Sequence, residues 1–103
     1  EAAYAALSDF LARWPSHPYA DNAVYWRGEV RYAQRQYVQA LHEFEDVVHR
    51  YPDGNKTAEA LLKIGLCHRR MGDMARAHLY FQRVARQFPD TDAARAAARE
   101  DAS

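Results

Sequence analysis

The feature that most constrains this chain is a motif that recurs at a spacing of 37 residues. Residues 37 positions apart form matching pairs: Gly28 and Gly65, Ala40 and Ala77, Phe44 and Phe81, Pro52 and Pro89. Pro15 lies 37 positions before Pro52. Chance does not produce so many matches at a single offset. A period between about 20 and 50 residues is typical of a solenoid, in which each repeat is one supersecondary unit.

Each repeat has the pattern of two helices. The prolines mark the ends of the second helices, because Pro cannot continue a helix and restricts the residue before it. We predict first helices over 19–34 and 57–71, and second helices over 37–51 and 74–88. Gly72 suits the turn within the second pair, and Arg35 takes the same place in the first pair. Arg35 is therefore predicted to have a positive φ, which is uncommon for a residue with a side chain.

Small and large residues alternate across the predicted helix pairs. Gly28 and Gly65 are expected to let the two helices of each pair approach closely. Phe44 and Phe81 are expected to be buried, in the space between pairs, where they continue an apolar stripe at helical spacing.

The two ends of the sequence match only half a repeat each. Residues 3–15 align with a second helix, and residues 92–101 align with a first helix that is rich in Ala, as a solvated cap should be. We therefore predict an all-α fold, a right-handed superhelical array of antiparallel helix pairs with six helices. It would form a single domain over 1–103, comprising a half unit 1–16, full units 17–53 and 54–90, and a capping helix 91–103. The chain begins at Glu1 without a Met, so we expect it to be a fragment.

Composition argues against several functional classes. Lys plus Arg and Asp plus Glu are both 14, and this balance disfavours a nucleic-acid module, which is usually basic. No stretch approaches the ~20 apolar residues of a membrane span, so no direct membrane insertion is expected. Cys67 is the lone cysteine and is expected to be packed in the core. The five histidines do not have the spacing of metal ligands, and the cluster of Glu43, Glu45 and Asp46 lies on a face expected to be solvated. The sequence also lacks nucleophile and phosphate-loop motifs. We therefore predict no catalytic residue, metal or cofactor.

The repeat pattern is that of tetratricopeptide units, W-x2-L-G-x2-Y followed by A-x3-F and P. Ala40-x3-Phe44 and Ala77-x3-Phe81 fit it, as does Ile64-Gly65. The spacing exceeds the usual ~34 residues, and we place the excess in a longer loop between units, from Pro52 to Thr57.

Several segments carry a more specific resemblance: Tyr25-Trp26-Arg27-Gly28 with Tyr32, Arg50-Tyr51-Pro52, Leu62-Lys63-Ile64-Gly65, and Phe88-Pro89-Asp90-Thr91-Asp92. Over nearly its whole length the chain resembles the C-terminal repeat domain of the Tol-Pal-associated YbgF (CpoB) family. It departs at Arg27, where that family usually has Leu, and at Arg35, where Gly is common. The resemblance implies a periplasmic location, binding to the protein TolA, a role in cell division, and a homo-oligomer formed through flanking segments.

In tetratricopeptide arrays the first helices line the concave face, so residues at corresponding positions of these helices are candidates for partner binding. Positions 25, 29 and 32 share one helix face, and positions 62, 66 and 69 repeat the step. The candidates are Asn22, Tyr25, Glu29, Tyr32, Glu59, Leu62, Leu66, Arg69, Arg70 and Arg99. Tyr and Arg are favoured in interface hot spots. The alternative is that Tyr25, Leu62 and Leu66 belong to the core.

Two functions of different classes follow from these patterns. The first is a non-enzymatic scaffold of the bacterial envelope that holds a segment of a partner protein carrying apolar and acidic groups. The second is a structural module that joins copies of itself, or a component resembling the outer-membrane assembly lipoprotein BamD. Monomeric behaviour with an exposed apolar groove would favour the first, and concentration-dependent association would favour the second.

Overall fold

The computed structural model describes residues 1–103 and contains six helices and no strand. They are α1 (Ala2–Arg13), α2 (Ala20–Ala33), α3 (Tyr37–Arg50), α4 (Thr57–Arg70), α5 (Met74–Gln87) and α6 (Asp92–Ala102). The predicted all-α array is confirmed, and the predicted helix bounds agree with the observed ones to within one or two residues.

Connections of two lengths join the helices. The turns within the two full pairs have three residues each, whereas the loops after α1 and α3 have six. The residues beyond the usual repeat length therefore lie between units, as predicted. Long and short connections alternate along the chain. Each helix packs mainly against its sequence neighbours, and α4 also contacts α6.

The two short turns have the same backbone geometry although their residues differ. Arg35 has a φ of 62° and Gly72 a φ of 85°, which confirms the prediction for Arg35. In each turn the amide of the third residue after the helix donates to a carbonyl in its last turn, Gln36 to Arg31 at 2.9 Å and Asp73 to His68 at 2.8 Å. This is the Schellman motif, which satisfies helix-end carbonyls and requires a left-handed residue. Asp90, in the loop before α6, also has a positive φ of 67°, which was not predicted.

Two glycines give the paired helices close contact. A Cβ atom added to Gly28 would lie 2.6 Å from the ring of Phe44, and one added to Gly65 would lie 2.6 Å from the ring of Phe81. Both rings are buried, as predicted. Each ring lies against the glycine of its own pair, however, so the space assigned to them between pairs is corrected to the interior of each pair.

The face of α3 that was expected to be solvated carries one buried carboxylate. Glu43 is buried and accepts hydrogen bonds from Arg27, at 2.7 Å from Nη2, and from the hydroxyl of Tyr4. Burial alone would lower the pKa of Arg27, but the hydrogen bond and charge of Glu43 outweigh it and raise that pKa. The solvated-face prediction is therefore wrong for Glu43, which joins α1, α2 and α3.

Candidate protein-binding face

The first helices α2, α4 and α6 lie side by side, and we call the surface that they share the first-helix face. Polar contacts cross both junctions on this face. Lys63 on α4 pairs with Glu29 on α2, Nζ to Oε1, at 2.9 Å. Arg69 on α4 pairs with Glu100 on α6. The face is therefore a surface held together by ion pairs between consecutive first helices.

Lys63 has a central place on this face, although it was not among the predicted site residues. Besides its pair with Glu29, its ammonium lies 4.7 Å from the centre of the Tyr32 ring, within the range of a cation–π contact. The 37-residue offset contained a signal for it. Lys63 aligns with Trp26 and Glu100, and Glu100 likewise reaches the preceding first helix.

Tyr25 lies in the core, which is the alternative that its sequence position left open. Its side chain is only 6% exposed, and its ring lies 5.5 Å from the ring of Phe44. Burial, with smaller contributions from the charges of Glu29 and Glu59, raises the pKa of its hydroxyl far above the usual range. The proposed role of Tyr25 as an exposed anchor for a partner is therefore corrected to a packing role.

Four more of the predicted residues are half-buried or buried. Leu62 and Leu66 are half-buried and pack against the core cluster, so each retains some exposed surface. Glu59 is half-buried and faces Lys56 at 3.9 Å. Asn22 is buried and lines a different groove, between α1 and α2, and its Oδ1 accepts no hydrogen bond.

Arg69 is engaged within the molecule. Its guanidinium donates to the backbone carbonyl of Glu100 at 2.7 Å and to the hydroxyl of Ser103 at 3.2 Å, in addition to the carboxylate of Glu100. A cation near these last carbonyls also complements the dipole of α6. At the next residue of α6, hydrogen bonds from His78 and Gln82 on α5 lower the pKa of Asp101. Arg69 therefore holds the last helix in place and is not free to receive a partner's carboxylate.

Among the predicted site residues, Arg70 and Arg99 are the exposed cations. Arg70 donates a hydrogen bond from Nε to the hydroxyl of Tyr32 at 3.2 Å, which raises the pKa of Arg70. Arg99 takes part in none of the ion pairs of the structure. Both guanidinium groups can receive a carboxylate with two parallel hydrogen bonds.

The histidines and the cysteine are not gathered into a metal site. The structure contains no group of three or more His, Cys, Asp or Glu side chains placed to share an ion. Cys67 is fully buried, as predicted, and burial raises the pKa of its thiol to about 12. His68 is buried and stacks on the ring of Tyr80 at 5.6 Å. None of the helices has the length and apolar character needed to cross a membrane.

Comparison with known families agrees with this architecture. A model of the tetratricopeptide repeat matches residues 20–90, which contain both full helix pairs. A search of curated proteins found no match to the chain. The matched stretch is more than half of the sequence and has the helix order of two consecutive repeats. This chain belongs to the tetratricopeptide-repeat family.

Proposed function

We propose that this protein is a scaffold that binds a segment of a partner protein on its first-helix face. Tetratricopeptide domains generally mediate protein–protein interactions, and the family is typically non-enzymatic. The observation that carries the proposal is the grouping of half-buried Tyr32, Leu62 and Leu66 with the exposed guanidinium groups of Arg70 and Arg99. The apolar side chains offer area to bury, and the arginines offer charge-assisted hydrogen bonds to carboxylates.

The partner segment should therefore carry apolar side chains and at least one carboxylate. Arg suits this recognition better than Lys, because its planar fork matches the two oxygens of a carboxylate. The resemblance to the YbgF (CpoB) family leads us to propose a protein of the bacterial envelope, located in the periplasm, with a TolA-like partner and a link to the Tol-Pal system and cell division. These assignments depend on the segments Tyr25–Gly28, Arg50–Pro52 and Phe88–Asp92 that carry the resemblance.

Charge reversal at the two exposed arginines tests the proposal. We expect Arg70→Glu with Arg99→Glu to weaken binding of a TolA fragment, measured by isothermal titration calorimetry, by about 2 kcal/mol or more, with the salt dependence of binding reduced. Arg83→Glu with Arg86→Glu is the matched control, since both arginines are also exposed but lie on the second helix α5. Unchanged TolA affinity in the double variant, with its helix content intact, would show that this face does not bind TolA. Lack of TolA binding by the unaltered protein would instead exclude TolA as the partner.

A further inference from the structure

The two short turns of the molecule, α2–α3 and α4–α5, lie at one edge, which we call the turn edge and which comprises residues 31–38 and 68–76. The ends of the first helices meet there: Arg70, the last residue of α4, donates to the hydroxyl of Tyr32 near the end of α2, at 3.2 Å. The turn edge presents apolar surface to its surroundings, because three of its large apolar side chains are exposed: Val38 by 53%, Met71 by 40% and Met74 by 59%.

The exposure of the turn edge belongs to both helix pairs and does not arise at an end of the array. The α2–α3 turn has helices on either side of it, since α1 packs against α2 and α4 packs against α3. Its residues at positions 34, 35 and 38 are nevertheless exposed, as are those at the equivalent positions 71, 72 and 75 of the α4–α5 turn. Flanking helices therefore leave these positions open.

Positive charge is concentrated on the turn edge. Residues 31–38 contain two arginines and no carboxylate, and residues 68–76 contain three arginines and one carboxylate, whereas in the whole chain Lys plus Arg equals Asp plus Glu. Three of these five arginines are in ion pairs, namely Arg31 with Glu1, Arg69 with Glu100 and Arg76 with Asp73. The exposed Arg35 and Arg70 have no carboxylate partner. Two cations thus remain available beside the apolar side chains.

The neutral total charge does not cancel the field at this edge. The helices α2 to α5 have 14 residues each, and a helix of that size is about 21 Å long at a rise of 1.5 Å per residue. The opposite edge therefore lies roughly two Debye lengths away at physiological ionic strength. A charged surface that contacts the turn edge interacts with Arg35 and Arg70, while salt screens the charges of the opposite edge.

We propose that the turn edge binds the surface of an anionic lipid bilayer. Val38, Met71 and Met74 enter the boundary between headgroups and acyl chains, where burial of apolar surface contributes to binding. Arg35 and Arg70 pair with lipid phosphates, to which a guanidinium group can donate two parallel hydrogen bonds. The contact is peripheral and orients the array with its longer loops away from the membrane.

A bilayer fits this edge better than a protein or a nucleic acid does. A specific protein partner needs a complementary contact of about 1,000 Å² or more. The edge consists of two projecting turns, however, and none of the cavities is lined by residues of both. A fluid bilayer adapts to projecting turns without a matching shape. The phosphates of a nucleic acid would pair with the arginines but would leave the three apolar side chains without a partner.

Flotation of the intact protein with vesicles of phosphatidylglycerol and phosphatidylcholine tests the proposal. We expect binding that grows with the phosphatidylglycerol fraction, weakens with added salt and is much weaker with phosphatidylcholine alone. Arg35→Gln should lower the partition coefficient about fivefold, which is the contribution of one cation at an anionic surface. Met71→Ser with Met74→Ser should lower it at least about tenfold, because less apolar surface is buried.

Arg83→Gln and Leu79→Ser are the matched controls, since both residues are exposed but lie in the middle of α5, away from both turns. Both variants should bind the vesicles as the parent does. Arg35→Gln keeps a residue with a Cβ atom at the left-handed position, so the backbone of the turn is unchanged. Arg70 also belongs to the first-helix face and is left unaltered, and TolA binding is measured without lipid. The two proposals can thus fail separately.

Tryptophan fluorescence measures the orientation on the bilayer. Trp14 and Trp26 lie outside the turn edge, so lipids brominated on their acyl chains should leave the fluorescence of the parent protein unquenched. In the Met71→Trp variant the same lipids should quench the added fluorescence, because position 71 is placed against the acyl chains.

Absence of binding to phosphatidylglycerol vesicles would overturn the proposal, as would parent-like binding by both the Arg35→Gln variant and the double methionine variant. Quenching of the native tryptophans without quenching at position 71 would also overturn it and would move the contact to another surface. Failure to bind vesicles, together with binding of polyglutamate that Arg35→Gln weakens, would assign the turn edge to an acidic protein instead.

Discussion

Arg35 is held in a backbone conformation that its side chain disfavours. It has a φ of 62°, and its Schellman turn is the same as the one that Gly72 completes at a φ of 85°. A residue with a Cβ atom is strained in this region, whereas Gly is not. The hydrogen bonds of the turn hold Arg35 there, and its side chain is exposed and forms no ion pair.

Substitutions at these two turns should therefore change the free energy of unfolding in opposite directions. We expect Arg35→Gly to raise the free energy of unfolding by up to ~1 kcal/mol, and Gly72→Ala to lower it by about the same amount or more. A Cβ atom at residue 72 would meet no other atom within 4 Å, so its effect would be due to the backbone alone. Urea denaturation followed by circular dichroism measures both values. A destabilised Arg35→Gly variant would contradict the strain argument.

The contact between Gly65 and Phe81 sets the separation of α4 and α5. Phe81→Ala should lower the free energy of unfolding by ~3–5 kcal/mol, because a buried ring would leave a cavity. Gly65→Ala alone should also destabilise, by ~1–3 kcal/mol, since its Cβ atom would meet that ring at 2.6 Å. In the Phe81→Ala background the clash is gone, and the higher helix propensity of Ala, worth about 1 kcal/mol, should make Gly65→Ala neutral or stabilising.

A double-mutant cycle on these two positions tests the packing directly. Gly28→Ala with Phe44→Ala forms the matching cycle in the first pair, where the same distance of 2.6 Å applies. If the effects of Gly65→Ala and Phe81→Ala were simply additive, the close contact would not be what determines the need for Gly at this position.

At the scale of helices, the two full units fill equivalent positions between their paired helices with different kinds of residue. Arg27 and Glu43 form a half-buried ion pair between α2 and α3. At the same register in the second unit, Ile64 and Tyr80 take their places between α4 and α5. A buried ion pair is frequently no more stable than an apolar pair of similar volume, because desolvation of the charges offsets their attraction.

The free energy of unfolding should therefore change much more when one charge is removed than when the whole pair is replaced. Arg27→Ile alone leaves Glu43 buried without its cation and should cost ~3 kcal/mol. Arg27→Ile together with Glu43→Tyr copies the second unit and should bring the free energy of unfolding back to the parent value or above it. Thermal and urea unfolding of the three proteins provide the comparison. The hydroxyl of Tyr4 also loses its acceptor in the double variant, so Tyr4→Phe in that background is the control. Equal losses in single and double variants would argue against the equivalence of the two sites.

At the scale of the whole molecule, the 37-residue offset predicts the helices, their pairing and the strained turn at Arg35. It predicts less of the candidate site, because a first helix contacts neighbours on several sides and spacing alone does not tell a partner-facing side from a core-facing one. Tyr25 was misjudged for this reason. The hydrogen bond from Arg69 to the carbonyl of Glu100 on α6 joins residues 31 positions apart, and their proximity in three dimensions does not follow from the spacing. The burial of Glu43 could have been noticed by comparing Arg27 and Glu43 with Ile64 and Tyr80.

The array as a whole should be least stable at its α1 end. In repeat proteins each element is stabilised mainly by its neighbours, so local opening is easiest where neighbours are fewest. α1 contains no buried residue and packs against α2, whereas α4 contains eight buried residues and packs against α3, α5 and α6. A hydrogen bond from the hydroxyl of Tyr4 to Glu43 joins α1 to α3.

Native-state hydrogen exchange measures this gradient residue by residue. We expect the amides of α1 to exchange at least ~100-fold faster than those of α4, which corresponds to an opening free energy lower by about 3 kcal/mol. Tyr4→Phe should widen the difference by weakening the link to Glu43, while Tyr19→Phe serves as a control because that side chain is largely exposed. Equal exchange rates in α1 and α4 would mean that the six helices open as one cooperative unit.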